Sequence, residues 1–314
     1  SKNIKLRCNF YALAGNLNAL KKNVRFDERD LNRIWTRENI ERIKSQTEHV
    51  SPEDRELFEL FNCIEEIIDT HTGPFIFIDL HTTSSETNPF ITISDSLNNR
   101  KFVSRFNIPI ILGIEEHIEG PLLTYINEFG HIAIGFEAGQ HLSLQSIENC
   151  EAFIWIVLEA SNCVSKDQIE HWDYYNKILP KKKLKRSFYE IKHHHKLHDR
   201  ERFRMKNGFK NFDGIKKNEV LAFSDDREIK AGIKGKIFMP LYQLQGEDGF
   251  FIVTKISIFW LNLSSLFRKL NLYHLIYILR GIDRDNSHPY VLLVNRIIEN
   301  FLKFLIFNLF GFSK

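Results

Sequence analysis

Residues 6–13 are rich in strand-forming side chains and run into the turn cluster Ala14-Gly15-Asn16, which predicts a first strand. A charged, irregular stretch follows over 25–33. Ser51-Pro52-Glu53-Asp54 then carries the signs of a helix start: a hydroxyl cap, proline in the first turn and acids beside it. Leu57, Phe58, Leu60, Phe61, Ile64, Ile67 and Ile68 recur on one broad helical face, suited to lying on a sheet. That helix leads into an unbroken apolar run from Pro74 to Ile78, which predicts a strand buried on both faces and ending at Asp79, Leu80 and His81. Residues 106–113 and 131–136 read as two further strands, and 146–164 as an apolar helix with Phe153, Ile154, Val157 and Leu158. Strands alternating with helices imply right-handed crossovers and a parallel or mixed sheet.

The periodicity stops between 181 and 206, where basic residues and histidines predominate, and a solvated connector is expected. Short strands are predicted over 220–223, 236–242 and 249–253, separated by turn signals at Asp225-Asp226, from Gly232 to Gly235 and from Gly246 to Gly249. Two apolar stretches finish the chain, 256–280 and 290–312. Arg268 and Lys269 break the first, and Arg296, Glu299 and Lys303 the second, so neither is the uninterrupted span of about 20 residues that a bilayer requires. Packed amphipathic helices are predicted, with no transmembrane segment. The expected organisation is an α/β unit over 1–180, a basic connector over 181–207, and a β-rich unit with a helical tail over 208–314.

With 314 residues, 43% hydrophobic and 26% charged, the chain is long enough for one large core or two unequal ones. Its net charge of +3 is small and its basic residues, except around Lys181 to Lys206, are interspersed with acids, which argues against a nucleic-acid partner. Cys8, Cys63, Cys150 and Cys163 lie far apart with no Cys-x-x-Cys pair, and reduced thiols in a cytoplasmic protein are the simplest expectation. The sequence opens at Ser1 without a charged stretch followed by an apolar one, so no leader is read there. A homo-oligomer is left open.

Candidate chemistry concentrates in two places. In mainly parallel sheets ligands gather beyond the carboxyl ends of strands, where His81 falls. Asp79, two residues earlier, shares its strand face and is placed to orient it. The loop from Arg25 through Asp30, Leu31, Asn32 and Arg33 sets guanidinium groups beside an amide, which suits a carboxylate ligand and equally suits a solvated salt-bridge loop. The run His193-His194-His195 and the pair His198 and Glu201 have metal-like spacing. The surrounding lysines and arginines disfavour a cation there.

Taken in order, Gly15-Asn16-x-x-Ala19-Leu20, Arg25 followed by Asp30-Leu31-Asn32-Arg33, the run from Asp79 to Ser84, and Gly135-Phe136-Glu137-x-Gly139 resemble the succinylglutamate desuccinylase/aspartoacylase family. The segment from Met239 to Tyr242, with Asp248-Gly249-Phe250-Phe251, resembles the β-rich C-terminal domain of bacterial members. The resemblance implies a zinc-carboxypeptidase-like α/β fold: a mixed, mainly parallel sheet flanked by helices, followed by a smaller β-rich domain and C-terminal helices. It also implies a zinc-dependent hydrolase of an amide or ester bond in a small carboxylate-bearing substrate such as an N-acyl amino acid. His81 would then be the third zinc ligand, Glu137 the carboxylate that activates water, and Arg25 the group that polarises the scissile carbonyl. Asn32 and Arg33 would clamp the substrate carboxylate. The His-Gly-Asn-Glu motif that supplies the family's first two ligands does not occur in the sequence. The alternative is therefore a non-catalytic relative that binds a carboxylate and has lost the metal.

Overall fold

In the computed structural model the described residues are 4–45, 51–179, 187–198, 201–243 and 246–278, with the short pieces 282–284, 292–294 and 309–310. Helix starts follow capping chemistry. Asn16 caps α1 (Leu17–Lys22), its side-chain oxygen accepting from the Ala19 N–H at 3.3 Å. Helix α2 covers Arg37–Ser45, and α3 (Pro52–Thr70) begins where Ser51 Oγ accepts from the Asp54 N–H at 3.0 Å. The chain continues through β1 (Ile76–Thr83), β2 (Phe90–Ile93), α4 (Leu97–Val103), β3 (Ile110–Leu112), α5 (Leu122–Glu128), β4 (Ile132–Gln140), α6 (Leu144–Ala160) and α7 (Trp172–Ile178). After these come β5 (Phe188–Lys196), β6 (Phe203–Met205), β7 (Gly214–Ile215), β8 (Val220–Ser224), β9 (Arg227–Lys230), β10 (Gly235–Phe238), β11 (Asp248–Lys255) and α8 (Ile258–Lys269).

Eight strands form one mixed sheet in the order β1-β4-β2-β3-β5-β11-β10-β7. Its first five strands are mainly parallel, with only β2 and β4 opposed, and the rest are antiparallel. A separate antiparallel sheet joins β6, β8 and β9. Helices cover both faces of the parallel half. On one face Phe136 of β4 stacks on Phe153 of α6, ring centroids 3.9 Å apart, within a core that Ile76 and Ile78 of β1 join. On the other, Ala133 meets Trp35, Leu57, Phe61 and Ile64, and Phe77 packs against them. Burying each of these large side chains contributes about 1.5–3 kcal/mol. The apolar run before Asp79 packs against both cores, but as the edge strand of the sheet it is half-buried, short of the full burial its composition predicts. Strands β4 and β2 approach so closely at Gly135 that a Cβ there would run into Thr92 Oγ1.

Three expectations are corrected. Residues 6–13 form no strand; the Arg7 N–H donates to the Cys163 carbonyl at 2.8 Å and the segment lies against the end of α6. Cys8 and Cys163 are joined by a disulfide, so two of the four thiols are not reduced, and Cys63 and Cys150 are free. Their separation of 155 residues concealed a Cα distance of 5.1 Å, well within disulfide range. The stretch expected as a solvated connector carries β5, an interior strand between β3 and β11. Tyr189 and Ile191 enter the core, while His194 and His195 stack on Phe251 and Phe250 at 4.3 and 5.2 Å. Imidazoles flanked by aromatic rings behave here as half-apolar strand residues.

Among the described residues no helix is long and apolar enough to cross a membrane. The first apolar terminal stretch forms α8 and a 3-10 turn over Leu272–Ile278. Arg268, which interrupts it, donates to the Asp95 carbonyl at 2.6 Å. Most of 290–312 lies outside the described residues.

Candidate active site

Strands β1 and β4 run parallel with His81 opposite Glu137 and Asp79 opposite Gly135, so His81 and Glu137 project from the same face at the carboxyl ends of adjacent strands. His81 Nε2–H donates to Asp79 Oδ2 at 2.8 Å. The Asp79 charge raises the imidazole to about 9 against the opposing effect of burial. The amide nitrogen of Asn32 lies 3.5 Å from the same Nε2. Across the strand gap, burial pushes the Glu137 carboxyl up to about 7, and the neighbouring His81 charge only partly offsets this. Although Glu137 as a residue is half-buried, its Oε2 is sealed from solvent and has no hydrogen-bond partner among the described residues.

The charged loop is ordered from beneath by Glu53, which is fully buried. Its Oε1 accepts from the Asp27 N–H at 2.7 Å, and its Oε2 from the Glu28 and Arg29 N–H groups at 3.3 and 3.4 Å. Asp54 beside it pairs with Arg29 and Arg42 at 3.0 and 2.9 Å. Asp30 accepts from the Asn32 N–H at 3.0 Å and caps a 3-10 turn over Leu31–Arg33. The same aspartate holds Arg25 through Nε and a terminal nitrogen, both at 2.9 Å. Arg25 is near enough for its charge to lower both His81 and Glu137. Asn32 is fixed by its Oδ1, which accepts from the Leu122 N–H at 3.0 Å.

The structure therefore brings Arg25, Asn32, His81 and Glu137 together. Arg33, the next residue of the turn, donates to Asp248 Oδ2 at 3.0 Å and to the Asn32 carbonyl at 2.9 Å. His194 completes that contact by donating from Nε2 to Asp248 Oδ1 at 2.8 Å. Sequence reading missed Asp248, His194 and Glu53 as parts of the site. Asp248 looked like a turn residue before Gly249, His194 belonged to the supposed connector, and Glu53 looked like an ordinary first-turn acid. No local signal distinguishes them, because each is defined by a partner far along the chain.

A catalytic zinc takes three protein ligands and an open position. The described residues do not meet that requirement: no group of three His, Cys, Asp or Glu side chains among them could hold a metal ion. His81 is one imidazole donor, and its Nε2 is engaged by Asp79. What the present side chains do provide is a poorly solvated carboxyl group, an adjacent imidazolium, and an arginine and an amide beside them. These are the parts of a site that moves a proton next to developing negative charge.

Residues 2–158, half of the chain, match the model for the succinylglutamate desuccinylase/aspartoacylase catalytic domain. Among solved structures the chain is similar to a succinylglutamate desuccinylase from Chromobacterium violaceum, at 14% identity and TM-score 0.54, covering 81% of this chain and 76% of that one. It is also similar to a succinylglutamate desuccinylase/aspartoacylase from Rhodobacter sphaeroides, at 12% identity and TM-score 0.55, covering 77% and 74%. A product-bound ectoine utilization protein from Ruegeria pomeroyi gives 14% identity and TM-score 0.55, covering 78% and 73%. A comparison with curated proteins finds no match. At these identities the structural likenesses establish the zinc-carboxypeptidase-like fold alone, while the domain match over half the sequence goes further: the chain belongs to the succinylglutamate desuccinylase/aspartoacylase family, whose members are generally hydrolytic deacylases.

Proposed function

We propose that the protein hydrolyses an amide or ester bond in a small carboxylate-bearing molecule such as an N-acyl amino acid. The observation that carries this reading is Glu137: a desolvated carboxyl with an unpartnered oxygen, set opposite His81 at the ends of two parallel strands. Raised to about 7, it can take a proton from water and return it to a leaving amine at neutral pH. Arg25 is the group for the carbonyl oxygen, where negative charge grows as the tetrahedral species forms. Asn32 and Arg33 are assigned to the substrate carboxylate. Zinc belongs to the proposal through the family alone, with His81 as the one donor assigned to it. The steps assigned here are those of the chain's own side chains. Glu137→Gln should lower turnover roughly a hundredfold or more, the usual scale for a positioned acid-base group.

The test of the carboxylate assignment is a paired assay of a free N-acyl amino acid and its carboxamide. Arg33→Lys should lower kcat/KM for the acid by about 1.5–3 kcal/mol, the range for a charge-assisted hydrogen bond, and leave the amide unaffected. Equal effects on both would remove Arg33 from recognition. A second reading, a carboxylate-binding relative without a metal, is favoured by the His81 to Asp79 contact and by the lack of a three-donor cluster among the described residues. Zinc analysis of the purified protein separates the two: stoichiometric zinc lost on His81→Ala supports the hydrolase, and zinc-free protein that still prefers the acid supports the binder. A cytoplasmic location is also proposed, although the Cys8–Cys163 bond weighs against a reducing compartment, and cell fractionation decides it.

A further inference from the structure

Asp248 enters the site from the antiparallel half of the sheet, and it does so because the strand pairing slips. Phe251 lies opposite His194 and Phe250 opposite His195, yet Asp248 lies opposite Lys196, so β11 has one residue more than β5 in this interval. In regular pairing Asp248 would share a face with Phe250. The extra residue turns it instead to the face of His194 and Phe251. Gly249 is that residue, and a Cβ on it would lie 2.9 Å from both His195 Cδ2 and Phe203 Cζ. Only glycine fits the bulge with those rings in place.

Once turned, Asp248 divides its carboxylate between Arg33 at 3.0 Å and His194 at 2.8 Å. His194 stacks on Phe251 at 4.3 Å and meets His117 edge-on at 6.0 Å, so its ring is held on two sides. The side chains of Arg33, Asp248 and His194 are only 20%, 17% and 12% exposed, so these contacts are poorly screened. Burial alone would raise the Asp248 carboxyl. The His194 hydrogen bond and the Arg33 charge outweigh it and hold the group below its ordinary range, ionised at neutral pH.

We propose that Asp248 is the positioning residue of the carboxylate clamp: aimed by the bulge at Gly249 and braced by His194, it fixes one arm of the Arg33 guanidinium. The Asn32 carbonyl fixes the other arm at 2.9 Å. A guanidinium has five N–H donors in a rigid fork, so pinning one on each arm orients the rest toward a ligand oxygen. The inference rests on the proposed reading that Arg33 binds the substrate carboxylate.

The experiment uses the full chain and two readouts independent of turnover. Calorimetric binding of N-acetylglycine and of N-acetylglycinamide measures acid preference. The Arg33 Nε–H resonance, identified by its loss in Arg33→Lys, reports the order of the guanidinium. Asp248→Asn is expected to weaken acid binding roughly tenfold, within the coupling range for groups in contact, and to broaden the Arg33 resonance. Binding of the amide should not change, which also shows that the fold is intact, and adding Asp248→Asn to Arg33→Lys should cost nothing further. Unchanged or tighter acid binding in Asp248→Asn overturns the inference, as does an equal loss for acid and amide. A wild-type protein that does not prefer the acid overturns the clamp reading itself and this inference with it.

Discussion

Replacing Glu53 by glutamine tests whether a buried acid, rather than the charged side chains above it, holds the 25–33 loop in shape. Glu53 is fully buried, and its two oxygens serve three consecutive backbone N–H groups: Asp27 at 2.7 Å, Glu28 at 3.3 Å and Arg29 at 3.4 Å. A glutamine is nearly the same shape but has one carbonyl oxygen. Facing Asp27, that oxygen keeps the short bond without its charge, a loss of about 1 kcal/mol, the difference between charged and neutral acceptors. The amide NH2 then meets the N–H groups of Glu28 and Arg29, donor against donor. Those two bonds are long, so about 0.5–1 kcal/mol each is reasonable for their loss. The total is about 2–3 kcal/mol. Urea unfolding at pH 7 measures the stability, and amide hydrogen exchange at Asp27, Glu28 and Arg29 locates the damage. Arg25 and Asn32 flank this segment, so acid binding should weaken in parallel. A stability change below about 0.5 kcal/mol, the range of ordinary surface substitutions, with unchanged exchange at those three amides, would refute the role given to Glu53.

Two further outcomes follow from the titration of Glu137 and from the disulfide. The folded Glu137 carboxyl, at about 7, lies above its ordinary 4.5, so between those values the folded protein holds a proton that the unfolded chain has lost. Stability should therefore fall as pH rises through this window, and the urea midpoint of Glu137→Gln, compared at pH 5 and pH 8, should fall less than that of the wild type. An identical fall in both proteins would show that Glu137 is solvated and ionised throughout. Cys8→Ser should lower stability by about 2–4 kcal/mol, the usual worth of a disulfide, and abolish the sensitivity of thermal unfolding to dithiothreitol. A wild-type transition indifferent to dithiothreitol would mean that Cys8 and Cys163 are reduced after all.

The parts of the fold that were legible in the sequence are those in which a local pattern meets a local cause. Ser51 caps α3 because a hydroxyl before proline and acids satisfies a helix N-terminus wherever it occurs. The apolar run before Asp79 packs toward the cores on both faces, although at the sheet edge it stays half-buried. The alignment of His81 with Glu137 was not visible in that way. It depends on β1 and β4 pairing in parallel with one register among several, which their 56-residue separation does not state.

The stretches that the sequence does not reveal share a different cause, which is that polarity there does not mean exposure. Residues 188–196 contain three consecutive histidines and two lysines, and a pattern of that kind normally marks solvent. Histidine is charged only when its surroundings favour the proton. In β5 Lys192, His193 and Lys196 stay exposed, while the half-buried His194 and His195 lie against phenylalanine rings, so the strand can occupy the interior of the sheet. The site inherits this difficulty, because the partner that gives Asp248 its place, His194, lies on that polar strand. Glu53 was misread in the same direction: an acid in the first turn was credited to the helix terminus, whereas its carboxylate reaches across to the loop N–H groups. Glu53 is buried and His194 and Asp248 are half-buried, with partners supplied by segments distant in sequence. A buried polar group persists only where such partners are met, so these positions tie the 25–33 loop to α3 and to β11. The loss expected in Asp248→Asn and in Glu53→Gln should accordingly fall on binding as well as on stability, since both carboxylates are bonded to the loop that presents Arg25, Asn32 and Arg33.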